Sequence, residues 1–198
     1  MKKFTKIFSL LTIAIFLFSC NIPQHQVQRV SYEQQIDLSG RWNDTDSWKT
    51  AQNIIKQILN GRWIRDFNQK NGGERPKVIV GLIKNKSHEH IDAETFIKDI
   101  EKAFIRTGSV RLVQCGEKRE ELRYERQDQQ DYASPATMKK WGRELGADYM
   151  LQGTINSIVD SYQNQKVLYY QIDLELTDLE TNEVVWIGDE KIKKYIQN

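Results

Sequence analysis

Few side chains in this sequence could carry out covalent or acid–base chemistry. Cys115 could act as a nucleophile, and His25, His88 and His90 could act as bases or bind a metal. His88 and His90 would share one side of an extended segment, but a metal site needs further ligands and no recognisable set lies nearby. A metal-dependent hydrolase would require these two histidines to converge with buried carboxylates. The sequence has no Gly-rich phosphate loop and no Ser-x-x-Lys or Gly-x-Ser-x-Gly motif, so we predict no catalytic residue, no metal site and no cofactor.

Cys20 is placed for a different chemistry, the attachment of lipid. Three lysines precede a mostly apolar run over residues 7–18, and Leu17-Phe18-Ser19-Cys20 completes the pattern. A charged start, a short apolar run and a small residue before the cleavage point are typical of a secretory signal peptide. The run is shorter than the roughly 20 apolar residues of a transmembrane helix. We therefore predict a signal peptide over residues 1–19 and a lipobox-like site at which Cys20 receives diacylglycerol and palmitate. An ordinary secreted protein or an uncleaved anchor is the alternative.

The chain after residue 19 is nearly neutral. Residues 1–19 contain three lysines and no acid, so the formal charge of +2 falls to about −1 without them. A neutral domain has no general electrostatic attraction for nucleic acid. We predict a lipidated cysteine and short tether over residues 20–37 and one folded domain over residues 38–198. The polar residues 21–36 reach at most about 50–60 Å when fully extended.

Cys115 is the only thiol left if Cys20 carries lipid, so the sequence predicts no disulfide framework. It ends the apolar stretch Val110–Cys115, where we interpret it as a small buried hydrophobic side chain. A thiol becomes reactive in an exposed, electropositive position, and this alternative stays open.

The spacing of apolar residues predicts the order of helices and strands. Residues 46–67 and 92–107 repeat apolar side chains at helical spacing, and Gly108 is placed to end the second helix. Residues 170–176 alternate between apolar and polar, which is typical of a strand with one buried face. Helices are predicted over 46–67, 92–107, 117–131 and 134–145, and strands over 77–83, 111–115, 147–159, 167–178 and 183–187, with 191–195 as a helix or a strand extension. This order predicts a single α/β domain with a central mixed β-sheet flanked by helices.

Two short polar stretches have predicted structural roles. Asp44, Thr45 or Asp46 could cap the helix that follows, and Trp42 should pack on the domain. A ligand or partner role for this turn is the alternative. Asp148 begins a strand after a Gly turn, so its carboxylate should accept hydrogen bonds from backbone amides.

Several stretches of the sequence resemble the LpoB family. They are Gly40–Ser47, Arg119–Leu122, Leu145–Thr154, Asp173–Thr181 and Val185–Gly188. The resemblance covers about residues 38–194 and implies a TolB-N-like α/β domain without catalytic activity, on an outer-membrane lipoprotein that activates penicillin-binding proteins. In the family this domain contacts a small regulatory module of a bifunctional peptidoglycan synthase. The best-studied members have a long tether rich in Pro and Gln, whereas the tether here is short, so the identity of the partner stays open.

The polar segment 117–131, together with Tyr132, is the candidate partner surface. Tyrosine and arginine are enriched among the residues that dominate protein–protein binding energy. A solvated helix face with pairs of opposite charge is the alternative. The candidate partner-binding residues are Arg119, Glu120, Arg123, Tyr124, Arg126 and Tyr132.

These observations predict a non-catalytic protein, anchored by lipid to the periplasmic side of the outer membrane, that binds and activates a class A penicillin-binding protein. Asn21, rather than Asp, follows Cys20 and favours the outer membrane. The alternative is a lipoprotein of the same fold in an envelope assembly or secretion complex. A secretion pore would need amphipathic strands that form a membrane barrel, whereas the strands predicted here are typical of a core.

Overall fold

The computed structural model of the chain describes residues 27–31, 33–134, 136 and 144–197. The chain divides into two compact units, Met1–Gln34 and Gln35–Asn198, and every helix and strand described below belongs to the second unit. The predicted signal peptide, Cys20 and His25 lie outside the described residues, as does most of the predicted helix over 134–145.

A five-stranded mixed sheet forms the centre of the second unit. Its strands are β1 (Lys77–Asn85), β2 (Arg111–Leu112), β3 (Tyr149–Tyr162), β4 (Gln165–Asp178) and β5 (Val184–Gln197), in the spatial order β2-β1-β3-β4-β5. β1 pairs in parallel with both β2 and β3, and β3, β4 and β5 form an antiparallel meander. The predicted α/β domain with a mixed sheet and flanking helices is confirmed.

Four helices lie within the described part of the chain: α1 (Asp44–Leu59), α2 (Arg62–Lys70), α3 (Ala93–Thr107) and α4 (Gly116–Tyr132). α3 begins after Asp92, whose side chain accepts a hydrogen bond from the Glu94 amide. It ends, as predicted, at Gly108, which has the left-handed conformation. The polar helix over 117–131 is confirmed as α4.

The single helix predicted over 46–67 is wrong, because the chain breaks between α1 and α2. Gly61 has an extended backbone, with φ −64° and ψ 152°, that cannot continue a helix. Its amide donates to the Ile58 carbonyl, and the Trp63 indole donates to the same oxygen over 2.8 Å. A Cβ at Gly61 would lie 2.7 Å from Trp63 Cδ1. Apolar spacing continues across this break, so the periodicity alone could not reveal it.

The core lies on one face of the sheet. In β4 the side chains of Tyr170, Ile172, Leu174 and Leu176 are buried and the alternate side chains are half-buried, which confirms the predicted alternation. The helices complete the core with Ile54, Ile58, Phe96, Ile100 and Phe104.

Two predicted strand ranges, 183–187 and 111–115, differ from the structure at their C-terminal ends. β5 continues to Gln197 because it pairs with β4 as far as Gln165, so the predicted strand extension over 191–195 is correct and the predicted helix there is wrong. The strand predicted over 111–115 is only Arg111–Leu112, because the chain then turns into α4 at Gly116, which has φ 59°.

Candidate partner-binding surface

α4 is a surface helix in which no residue is buried. Its sequence is polar all round, a pattern that forms a stable helix only with help from many side-chain pairs. Arg123 and Glu120, three residues apart, form one such pair with a nitrogen–oxygen distance of 2.5 Å. Lys118 forms another pair, with Glu94 of α3, at 3.6 Å.

Three arginines, Arg119, Arg123 and Arg126, attach α4 to the rest of the domain. They repeat at i, i+4 and i+7, which places them on one side of the helix. Arg119 Nε donates to the carbonyl of Gln114 over 2.8 Å. Arg123 holds Glu144 with two hydrogen bonds of 3.1 and 3.0 Å, and Arg126 reaches the same carboxylate over 3.0 Å. Hydrogen bonding to Arg123 lowers the pKa of Glu144, and the same contact raises the pKa of Arg123.

The two tyrosines among the predicted partner-binding residues face solvent, whereas the arginines bond to the domain. Tyr124 is 72% exposed and Tyr132 is 84% exposed. Together they border a shallow depression of about 660 Å³ on the surface of α4. The depression is lined by Glu121, Tyr124, Glu125, Gln127, Asp128, Asp131 and Tyr132. The six predicted partner-binding residues therefore divide into Arg119, Glu120, Arg123 and Arg126, which bond within the domain, and two tyrosines that face outward.

His88 and His90 lie in the loop after β1, and both are exposed. The backbone amide of His88 donates to Ser157 Oγ, and the ring Nδ1 of His88 lies 2.6 Å from the same hydroxyl oxygen. Within the described ranges, no group of three or more His, Cys, Asp or Glu side chains could hold a metal ion.

Cys115 is half-buried rather than fully buried, and it is the residue that precedes α4. Its Sγ hydrogen donates to the carbonyl of Val80 over 3.2 Å, which ties the start of the helix to β1. It does not cap α4 with its side chain. The sequence predicted burial from the apolar stretch before it, but the stretch ends as a strand at Leu112.

The turn before α1 has the predicted structural role but a different capping residue. Asn43 is the N-cap: its side chain accepts from the Asp46 amide, and the Asp46 carboxylate accepts from the Asn43 amide, each over 3.0 Å. Asp46 therefore belongs to a capping box at its third position and is not itself the cap. Trp42 packs against Tyr170 in a T-shaped arrangement with ring centroids 5.6 Å apart, which confirms its predicted packing.

Asp148 accepts backbone hydrogen bonding as predicted. Its Oδ2 receives the Lys77 amide over 2.7 Å, and the Lys77 ammonium lies 3.2 Å from the same carboxylate. The contact joins the start of β1 to the residue before β3.

Sequence reasoning missed a cluster of charged residues around Lys194 of β5. The Lys194 ammonium donates to Asp37 Oδ1 over 3.0 Å, to the Arg41 carbonyl over 2.9 Å and to Asp46 Oδ2 over 2.5 Å. The side chains of Lys194 and Asp46 are only 13% and 10% exposed. Hydrogen bonds from the side chains of Gln35 and Lys194 lower the pKa of Asp37. Since Lys194 is far from these acids in the chain, no local pattern could have predicted the cluster.

The family comparison gives one match that covers most of the chain. A family model described as "Peptidoglycan-synthase activator LpoB" matches residues 46–192, which is 147 of the 198 residues. No curated protein sequence matches the chain at a significant level. No described helix is both long enough and apolar enough to cross a membrane.

Several solved structures are similar to this chain at low identity. The LpoB C-terminal domain from Salmonella enterica is 17% identical, and the match covers 75% of this chain and 99% of that domain, with a TM-score of 0.42. The NMR structure of Escherichia coli LpoB is 16% identical and covers 91% of this chain and 87% of that one, with a TM-score of 0.41. Lipoprotein GNA1162 from Neisseria meningitidis is 15% identical, with coverage of 61% and 83% and a TM-score of 0.37.

Proposed function

Because this chain belongs to the LpoB family of peptidoglycan-synthase activators, we propose that it binds a class A penicillin-binding protein and stimulates it without catalysing a reaction itself. The family is one of regulatory activators and not of enzymes. The match to the family model over residues 46–192 is the observation that carries the proposal.

Activation would follow from a difference in affinity between two conformations of the synthase. A protein that binds the active conformation more tightly than the inactive one shifts the population by the ratio of the two affinities. A tenfold ratio corresponds to about 1.4 kcal/mol. This mechanism needs a surface for contact and no catalytic group. α4, with no buried residue and with three arginines that fix its orientation, supplies such a surface.

Lipid at Cys20 would hold the domain near the periplasmic face of the outer membrane. Each acyl CH₂ group buried in the bilayer contributes about 0.8 kcal/mol, so several chains give stable anchoring. The compact unit begins at Gln35. Residues 21–34 would therefore span at most about 50 Å between the lipid and this unit. The partner must then extend to within that distance of the membrane.

The experiment that tests the proposal reconstitutes the full chain with its synthase. The chain is purified from membranes in detergent and added to a class A penicillin-binding protein of the same cell, and glycan polymerisation and crosslinking are measured. We expect both rates to rise at saturating amounts of the chain. An unchanged rate and no binding to the synthase would overturn the proposal. Recovery of secretion or envelope-assembly components from solubilised envelopes, without any cell-wall synthase, would favour the alternative function.

A separate experiment tests the lipid anchor. Cells that produce the full chain are grown with labelled palmitate, and the wild type is compared with Cys20→Ala and Cys115→Ala. We expect the Cys115→Ala chain to keep the label and the Cys20→Ala chain to lose it. Equal labelling of both variants would contradict the predicted lipidation at Cys20.

A further inference from the structure

The charges of α4 are divided between two sides of the helix. Acids and tyrosines repeat at i, i+4, i+7, i+11 and i+15 from Glu117, a spacing that forms one continuous stripe. The arginines repeat at the same spacing, two residues later, on the opposite side. We call the first stripe and its flanking acids the acidic–tyrosine face: Glu117, Glu121, Tyr124, Glu125, Asp128, Asp131 and Tyr132.

The basic side chains of α4 are all engaged with the domain or within the helix. Arg119 bonds to the Gln114 carbonyl, Arg123 and Arg126 bond to Glu144, and Lys118 pairs with Glu94. In contrast, none of the five carboxylates on the acidic–tyrosine face forms an ion pair with a described residue. Solvent therefore meets five carboxylates without an ion pair along about 21 Å of helix, while the basic side chains of α4 pair with other groups.

The two tyrosines give this face contact area as well as charge. Tyr124 and Tyr132 lie eight residues apart, both line the 660 Å³ depression, and most of each side chain is exposed to solvent. A tyrosine combines a large apolar ring with a polar end, loses little rotational freedom on binding and is enriched in interface hot spots. A helix that only presented a solvated polar face would not need exposed aromatic side chains at this spacing.

We propose that the acidic–tyrosine face is the surface that docks on the synthase, and that it binds a protein surface rich in lysine and arginine. This inference rests on the proposed function and specifies its contact. Charge complementarity determines the chemistry of the occupant: nucleic acid and anionic lipid are excluded by the sign of the face, and a basic protein surface is attracted. The three arginines are positioning residues, because they orient the helix so that the acids and rings point away from the domain.

Charge reversal tests the proposal on the full chain. Glu121→Lys with Asp128→Lys changes the charge of the face at two positions seven residues apart. The matched control, Glu180→Lys with Glu183→Lys, makes the same charge change at exposed positions of the turn between β4 and β5. We expect the double variant on α4 to bind the synthase at least about tenfold more weakly, mainly through slower association, and the control to stay within about twofold.

Two further measurements separate docking from a general effect of charge or folding. Tyr124→Ala with Tyr132→Ala keeps every charge and should also weaken binding about tenfold, with little change in its salt dependence. For the wild type, affinity should fall as salt is raised from about 50 to 300 mM, and for the charge-reversed variant this dependence should be reduced. Far-ultraviolet circular dichroism confirms that each variant keeps its helices.

The outcomes distinguish this inference from the proposed function. If the wild type stimulates the synthase and the α4 variants match the control, the acidic–tyrosine face is not the docking surface and the proposed function stands. If the wild type neither binds nor stimulates any class A penicillin-binding protein, both are overturned. Loss of binding in both α4 variants, with the control unchanged, supports both.

Discussion

Two helices of nearly equal length, α1 with 16 residues and α4 with 17, are held in the structure by different forces. Eight residues of α1 are buried, and its apolar side packs into the core. No residue of α4 is buried, and hydrogen bonds and ion pairs join it to the domain. Since core packing supplies most of the stability of a helix in a protein, α1 supports the fold while α4 is free to present its outer side to a partner.

The largest difference in stability between variants of the two helices should come from substitutions of their apolar side chains. Ile58 of α1 is fully buried, whereas Leu122 of α4 is 44% exposed. Ile58→Ala should lower the free energy of unfolding by about 2–5 kcal/mol, through lost burial and the cavity that remains. Leu122→Ala should change it by no more than about 0.5 kcal/mol. Urea unfolding of both variants checks this, and equal losses would contradict the contrast.

The next effect concerns the lysine that holds the start of α1. Lys194→Met leaves the nearly buried Asp46 carboxylate without its cation. The free energy of unfolding should therefore fall by about 2–3 kcal/mol. This loss is smaller than is usual for breaking a fully buried ion pair, because Asp37 is partly exposed. Lys193→Met, at the exposed neighbour in β5, is the matched control and should change little. Urea midpoints that shift equally for the two variants would show that the cluster does not stabilise α1.

The residues that precede the two helices should differ less in how much they contribute to the free energy of unfolding. Asn43 caps α1 through its side chain, while Cys115 makes no such bond at the start of α4. Asn43→Ala should therefore lower the free energy of unfolding by about 1 kcal/mol. Cys115→Ala should cost less than about half of that, as it removes only a weak thiol hydrogen bond. Thermal unfolding of both variants measures this difference. A larger loss of stability in Cys115→Ala than in Asn43→Ala would contradict the prediction.

The smallest effect is the pH dependence of the ion pairs under α4. Hydrogen bonding to Arg123 lowers the pKa of Glu144, so these pairs stabilise the position of α4 above the ordinary glutamate pKa, and their contribution is lost as pH falls through the lowered pKa. Arg123→Gln should move the pKa of Glu144 back toward its ordinary value. A titration of the Glu144 carboxyl by NMR tests this shift. An unchanged pKa would mean that Arg123 does not hold the carboxylate in solution.

The sequence predictions succeeded where an element depends on residues close together in the chain, and they failed where it depends on tertiary contacts. The alternation in β4 and the ends of α3 were predicted correctly, because Gly108 and the pattern of residues 170–176 act locally. The end of β5 was underestimated because its lysines obscure the alternation, and pairing with β4 extends it. The break at Gly61 was missed because its cause is the position of the Trp63 indole on the Ile58 carbonyl.

The candidate partner surface was likewise predictable only as far as neighbouring residues along the chain determine it. The sequence identified α4 and its tyrosines, and the spacing of acids and arginines was available as a signal of two opposed stripes. It could not indicate which stripe faces the domain, because that depends on Glu144, which is 18 and 21 residues from the two arginines it binds.

The sequence by itself determined the types of most elements, the mixed α/β architecture and the family, because these depend on periodicity and on motifs read along the chain. Only the tertiary structure decided that Lys194 joins Asp37 and Asp46, and that the arginines of α4 point inward while its tyrosines point outward. The physical reason is that hydrogen bonds and ion pairs act over a few ångströms between groups that folding brings together, at separations that leave no pattern in the sequence.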